Sequence, residues 1–97
     1  MTWTLKKLRD HKSEIDSIAQ KHRVVSLLVI GSVARGEATE QSDVDFIAKF
    51  EEGSSLMDLG EFIMDLEDSL CCHVDVISQN ALDSHSFQHT MAEAVSL

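Results

Sequence analysis

The sequence predicts a small α/β (α+β) fold in which a mixed β-sheet of about three or four strands is flanked by helices. Short β-branched runs alternate with stretches of helical periodicity along the chain, and this alternation is typical of a sheet covered by helices. The 97 residues fit one domain spanning residues 1–97. Such a domain buries about 60–65% of the surface that its unfolded chain exposes, which allows only a modest core.

The N-terminal stretch, residues 3–22, is predicted to form one amphipathic helix. Its apolar residues recur at helical spacing with charged residues between them, and they are Leu8, Ile15, Ile18 and Ala19. Residues 24–30 predict the first strand, because this β-branched run is too short for a helix of its own. The polar residues 37–42 that follow the next turn predict a loop.

The second strand is predicted over residues 43–50, where the two faces alternate. One face carries Val44, Phe46, Ala48 and Phe50, and the other carries Asp43, Asp45, Ile47 and Lys49. After an N-cap among residues 51–55, a leucine stripe predicts a helix over residues 56–70. The HVDVI segment, residues 73–77, predicts the third strand, and residues 84–95 predict the last helix.

Acidic side chains of the predicted sheet indicate a metal site. Alternation puts Asp43 and Asp45 on one side of their strand, with Cα atoms about 6.6–7 Å apart, and a strand about 4.8 Å away can aim Asp75 into the same pocket. Carboxylates this close repel one another, so at least one pKa should rise unless a cation is present. Mg²⁺ fits, and two ions about 3.5–4 Å apart would serve an in-line phosphoryl displacement. A DxD motif by itself is a weak signal, because such residues are usually just solvated.

The turn after the first strand predicts an anion-binding site. Gly31 allows close approach of a phosphate to the backbone, since no Cβ intervenes. The exposed amides that open a short helix and the Ser32 hydroxyl can bind an anion, and Arg35 adds a positively charged fork. The alternative is an ordinary tight turn with a capping serine.

Together these motifs resemble a known family. Gly31-Ser32, then 10 residues, then Asp43-Val44-Asp45 is similar to the signature of the DNA polymerase β-type nucleotidyltransferase superfamily. The longer string GSVARGEATEQSDVDF resembles its minimal branch, the minimal nucleotidyltransferase (MNT) domains, which are the MntA-like antitoxins of HEPN/MNT toxin–antitoxin pairs. The resemblance extends over almost the whole chain, including HVDVI and the terminal AEAVSL.

The resemblance implies the nucleotidyltransferase fold and a set of roles. Asp43 and Asp45 would hold the metal ions, and Asp75 would share a metal and help to deprotonate the attacking hydroxyl. Gly31 and Ser32 would bind the triphosphate, with Arg35 as an auxiliary phosphate contact. The implied activity is Mg²⁺-dependent transfer of AMP from ATP to a hydroxyl, with two ions as cofactors. In toxin–antitoxin members the acceptor is a tyrosine of the HEPN ribonuclease toxin, whose modification silences it.

Two other functions fit the sequence. The chain can be a non-catalytic antitoxin that covers its partner, because an acidic protein can block a basic RNA-binding surface. It can also transfer nucleotides to a small molecule or an RNA end, although it has neither a basic patch nor room for a built-in acceptor pocket.

His73 can contact the nucleotide or be a half-exposed strand residue. His85 and His89 have metal-compatible spacing but no third ligand nearby.

Composition narrows the compartment and the partners. No apolar run reaches the roughly 18–20 residues that span a bilayer, and the N-terminus lacks the apolar core of a signal peptide, so we expect a cytoplasmic protein without a membrane partner. With 17 acidic and 8 basic residues, the net charge of −9 argues against direct nucleic-acid binding. Cys71 and Cys72 are expected to be reduced, since a bridge between neighbours is strained.

Overall fold

A computed structural model describes residues 2–97 and contains one mixed sheet. Its strands are β1 (Val24–Ile30), β2 (Val44–Phe50) and β3 (Val74–Ser78), in the order β1-β2-β3. β1 is antiparallel to β2, and β2 is parallel to β3. The predicted small mixed sheet is therefore confirmed, and β2 lies at its centre.

Helices connect and cover these strands. They are α1 (Leu5–Asp10), α2 (Lys12–Lys21), α3 (Gly31–Arg35), α4 (Leu56–Leu70) and α5 (Ser84–Met91), with a short 3-10 helix at Gln79–Ala81. Helix α4 provides the crossover that parallel strands β2 and β3 require. It begins at a capping box in which Ser55 and Asp58 exchange side-chain-to-backbone hydrogen bonds. Among residues 2–97, no helix is long and apolar enough to cross a bilayer.

The alternation predicted for β2 is confirmed, and it organises the core. Val44, Phe46 and Ala48 have no exposed surface. Phe62 and Leu66 of α4 are equally inaccessible, and the ring of Phe62 meets Phe50 edge-on at 6.1 Å. A one-residue slip of β2 would move the aspartates to this apolar side, so burial fixes the register of the strand.

The prediction of one helix over residues 3–22 was wrong, because the chain breaks at His11. The His11 amide donates to Leu8 O, and its ring Nδ1 donates to Lys7 O at 2.9 Å. The ring also packs edge-on against Trp3, with 5.4 Å between the ring centroids. These bonds end α1 at the His11 C-cap, and hydrophobic periodicity does not reveal them.

The last helix ends at Met91, so the predicted end at residue 95 was also wrong. Val95 instead forms an antiparallel bridge with Val29, with both backbone hydrogen bonds at 2.8 Å. This bridge satisfies backbone groups on the free edge of β1, which a longer helix would leave unpaired. The strand starts also differ slightly, since β2 begins at Val44 and β3 covers Val74–Ser78.

A buried histidine that the sequence analysis did not identify joins α2 to α4. The His22 side chain is 7% exposed, and its Nε2 lies 2.5 Å from Asp65 Oδ2. This hydrogen bond is the main cause of a lowered pKa for the Asp65 carboxyl, and Lys21 Nζ contributes at 3.4 Å. The bond provides a polar partner for a ring that otherwise packs near Phe62.

We predict that Asp65→Asn lowers the thermal unfolding midpoint at neutral pH. Because folding lowers the Asp65 pKa, its stabilising contribution is complete above the ordinary aspartate value of about 3.9 and is lost as the pH falls through the folded value. The difference between wild type and variant should therefore shrink in acid, as measured by circular dichroism melts across pH. Asp68→Asn, an exposed change on the same helix, is the control. A difference that persists unchanged in acid would contradict the role of this pair.

Candidate active site

The pairing of β2 with both neighbours brings two of the predicted carboxylates together. Asp45 is opposite Ile30 of β1 and beside Asp75 of β3. Residues paired in this way project from the same face of a sheet, so Asp45 and Asp75 share one face. Asp43 directly precedes β2, where the Val44 amide donates to His73 O at 3.0 Å and fixes the entry of the strand.

The charges of Asp43 and Asp75 both act on the Asp45 carboxylate. The pKa of Asp45 is raised, first by partial burial and then by the negative charges of Asp75 and Asp43, while Arg35 opposes the shift. Within residues 2–97, no group donates a hydrogen bond to any of these carboxylates. The predicted repulsion is therefore present at Asp45, and its oxygens are available to a ligand.

Gly31 is packed directly against this group. Its φ is +72°, which favours glycine, and a Cβ placed there would overlap Asp45 Oδ2. The sequence predicts close approach of a phosphate to Gly31. The structure adds that the same absence of a side chain makes room for the Asp45 carboxylate.

The other members of the predicted anion site lie on α3, which directly follows β1. The Ser32 hydroxyl has no hydrogen-bond partner among residues 2–97. Arg35 Nε pairs with Glu37 Oε1 at 2.7 Å, and Arg35 Nη1 pairs with Glu93 Oε2 at 3.1 Å. These bonds, with Glu37 the larger cause, raise the pKa of Arg35. The guanidinium therefore stays charged, and Glu93 links it to the Gly31 amide.

Glu93 is the site residue that the sequence analysis missed. Its Oε1 accepts a hydrogen bond from the Gly31 amide at 3.3 Å, and its pKa is lowered first by Arg35 and then by that amide. It belongs to AEAVSL, which the sequence analysis assigned in part to the last helix. No local pattern indicated this position, because the contact depends on the chain returning to the edge of β1.

The three histidines of the C-terminal third of the chain do not gather around the carboxylates. His73 is 89% exposed, and its Nδ1 lies 3.6 Å from Glu67 Oε2 of α4. His85 and His89 are exposed on α5. A cavity of about 330 Å³ is lined by His73 together with Asp43 and Trp3.

The residues fit Mg²⁺ only if a substrate completes its coordination. Within residues 2–97, no three His, Cys, Asp or Glu side chains converge as a ready metal-binding cluster. Mg²⁺ commonly takes one or two protein carboxylates and fills its remaining positions with water and phosphate oxygens. Asp45, with its raised pKa, and the neighbouring Asp75 supply a pair of that kind.

The comparisons with known proteins identify the family. The family model described as "Nucleotidyltransferase domain" matches residues 6–95. The chain belongs to the nucleotidyltransferase domain family. It is 37% identical over 90 residues to the protein adenylyltransferase MntA of Thermococcus cleftensis, across 84% of this chain and 91% of that protein. This nucleotidyltransferase is therefore an enzyme of the minimal branch that the sequence resembles.

Solved structures agree with the family assignment. A structure described as a "putative minimal nucleotidyltransferase" superposes with a TM-score of 0.87 at 37% identity, and the match covers 98% of this chain and 97% of that one. A toxin–antitoxin structure with AMP-PNP matches with a TM-score of 0.74 at 15% identity, over 86% of this chain and 68% of that chain. The second likeness supports the fold alone, whereas the first agrees in fold, length and sequence.

We predict that Gly31→Ala destabilises this nucleotidyltransferase more than Gly36→Ala does. Both glycines have φ near +70°, so each substitution should cost about 1–2 kcal/mol in backbone strain. Only at Gly31 does the new Cβ overlap another residue, Asp45, and that overlap adds to the cost. Urea unfolding of the two variants measures the difference. Equal losses of stability would contradict the packing of Asp45 against Gly31.

We predict that Asp45→Asn stabilises the ligand-free protein. Because folding raises the Asp45 pKa, the ionised carboxylate destabilises the fold at neutral pH, and this penalty disappears as the pH falls through the folded value. The variant should melt at a higher temperature than wild type at neutral pH, with a smaller gap in acid. Asp10→Asn, an exposed change on α1, controls for net charge. A lower melting temperature for Asp45→Asn would contradict the repulsion.

Proposed function

We propose that this nucleotidyltransferase transfers AMP from ATP to a hydroxyl, in a reaction that requires Mg²⁺, and that the acceptor is a tyrosine of a partner HEPN-type toxin. It would act in the cytoplasm as the antitoxin of that pair. The observation that carries the proposal is the pairing of Asp45 with Asp75 beside the Gly31 turn. This arrangement supports a site in which carboxylates and phosphate-binding donors both lie next to Asp45.

The places of these residues around Asp45 support the following roles. The Gly31 amide, the Ser32 hydroxyl and Arg35, all of α3, would bind triphosphate oxygens. Asp43, Asp45 and Asp75 would hold the metal ions, which neutralise the charge that develops on the transferring phosphate. Asp75 is exposed at the outer strand, so an acceptor from another molecule can reach it.

The chemical step is an in-line displacement at phosphorus. The acceptor oxygen forms a bond to the α-phosphorus, and the bond from that phosphorus to the bridging oxygen breaks. Pyrophosphate leaves with the electrons of the broken bond, and Asp75 takes the proton of the hydroxyl. The site contributes by holding the reacting groups in position and by stabilising charge, since the aspartates form no covalent bond.

A protein acceptor agrees with the properties of the chain. The name of the Thermococcus cleftensis relative states that it is a protein adenylyltransferase. A structural neighbour is a toxin–antitoxin complex that holds AMP-PNP. The net charge of −9 favours a basic partner, such as an RNA-cleaving toxin, over a nucleic-acid acceptor.

We predict that the purified protein, incubated with labelled ATP, Mg²⁺ and the toxin encoded beside it, labels the toxin. Asp43→Asn should reduce labelling by at least about 100-fold, because it removes a carboxylate that would hold the metal. Asp10→Asn is the matched control, since it makes the same chemical change at an exposed position of α1. Labelling that survives in Asp43→Asn at the wild-type rate would overturn the proposed chemistry.

The same variants test the alternative in which the chain neutralises its partner by covering it. A catalytic antitoxin protects at less than one molecule per toxin, whereas a covering antitoxin needs equal amounts. If Asp43→Asn and Asp45→Asn still neutralise the toxin at a one-to-one ratio, binding is sufficient and catalysis is unnecessary.

Chelation by EDTA should abolish labelling without preventing formation of the complex.

A further inference from the structure

The predicted phosphate-binding groups are in contact with a carboxylate of the chain itself. Glu93 Oε1 accepts from the Gly31 amide at 3.3 Å, and Glu93 Oε2 accepts from Arg35 Nη1 at 3.1 Å. One anionic side chain therefore bridges the backbone donor and the cationic donor that the proposed function gives to the triphosphate. The arrangement of a carboxylate between an amide and a guanidinium is that of a bound anion.

A short segment holds Glu93 there. We call residues 92–97 the C-terminal strap. Val95 pairs with Val29 through two hydrogen bonds of 2.8 Å, Arg9 Nη2 donates to Ser96 O at 3.3 Å, and Leu97 packs against the core. The preceding helix, α5, has no buried residue. None of residues 92–97 is fully buried, so opening of the strap should cost less free energy than opening of the core.

From this geometry we infer that Glu93 is an internal competitor of the nucleotide, and that ATP binds only after the Glu93 carboxylate leaves Gly31 and Arg35. The inference rests on the proposed function for the identity of the ligand. A phosphate oxygen and a carboxylate oxygen cannot occupy the same position on one amide, and two anions that share a guanidinium edge repel each other. The strap thus sets the affinity of the site for nucleotide.

The second acidic partner of Arg35 does not compete in this way. Glu37 binds Nε at 2.7 Å and leaves the Nη1 position to Glu93. Glu37 also makes no contact with the Gly31 amide. A phosphate could therefore replace Glu93 while Glu37 still orients the guanidinium, which makes Glu37 a matched control on the same arginine.

Competition of this kind has a measurable size. When only a fraction of molecules is competent to bind, the apparent dissociation constant equals the intrinsic one divided by that fraction. If the strap is released in about one molecule in ten, its removal would tighten nucleotide binding about tenfold. A residue that merely positions Arg35 for phosphate would have the opposite effect, because its loss would weaken binding.

Isothermal titration calorimetry of the full chain with ATP and Mg²⁺ tests the inference. We expect Glu93→Gln and Glu93→Ala to lower the dissociation constant about tenfold, and Glu37→Gln to change it less than about twofold. Inorganic triphosphate should show the same order, because the competition concerns phosphate oxygens. Unchanged or weaker binding in both Glu93 variants would overturn the inference, and so would equal tightening in Glu37→Gln or failure of every form to bind.

Hydrogen exchange provides a readout that does not depend on affinity. Saturating ATP should speed exchange of the Val95 amide, which donates to Val29 O, because ATP displaces the strap. Glu93→Ala should show faster exchange without ATP. Slower or unchanged exchange at Val95 on addition of ATP would mean that nucleotide and strap bind together, which contradicts competition.

The outcome for Glu93 is separable from the outcome for the proposed function. If the Glu93 variants bind ATP more tightly but no form labels the toxin, the proposed transfer fails and the competition stands. If wild type labels the toxin and the Glu93 variants show the same apparent affinity for ATP as wild type, the proposed transfer stands and the competition fails.

Discussion

The position of Asp45 between two strands is the constraint on which the rest of the site depends. Its partner on β1 is Ile30, and its partner on β3 is Asp75. Because Gly31 directly follows Ile30, the same register that aligns the two carboxylates also brings the glycine turn against Asp45. One set of backbone hydrogen bonds therefore places the two paired carboxylates and the Gly31 turn together, and the burial of Phe46 keeps that register in place.

This arrangement costs stability in the ligand-free protein. Burial and, after it, the negative charges of Asp75 and Asp43 raise the pKa of Asp45, so its ionised carboxylate is destabilised in the fold. A small domain has little stability to spare, so the core beneath the site must offset the cost. The tight packing of Phe46 and Phe62, together with the hydrogen bond from His22 to Asp65, supplies part of that compensation. The face of β2 that carries Asp45 therefore lowers the stability of the fold, whereas the opposite face, which carries Phe46, raises it.

Charge also explains how the C-terminal strap meets α3 at the site. Arg35 lies between two glutamates, and one of them, Glu93, reaches the site from the C-terminal strap. In a protein with a net charge of −9, a cationic side chain that faces the site attracts the acidic groups of its own chain as readily as those of a ligand. Occupation of the site is therefore a matter of competition between anions, in addition to shape.

The sequence by itself determined the mixed sheet, the leucine-lined helix α4 and the face of β2 that carries Asp45, because these follow from periodicities that span only a few residues. The glycine–serine turn and its spacing from the aspartates were also sufficient to indicate the family. Only the tertiary structure decided the break at His11, the pairing of His22 with Asp65, and the placement of Glu93 on Gly31. His22 and Asp65 are 43 positions apart in the sequence, and Gly31 and Glu93 are 62 positions apart. Contacts at such separations depend on how the elements pack and where the chain returns, and no local pattern carries that information.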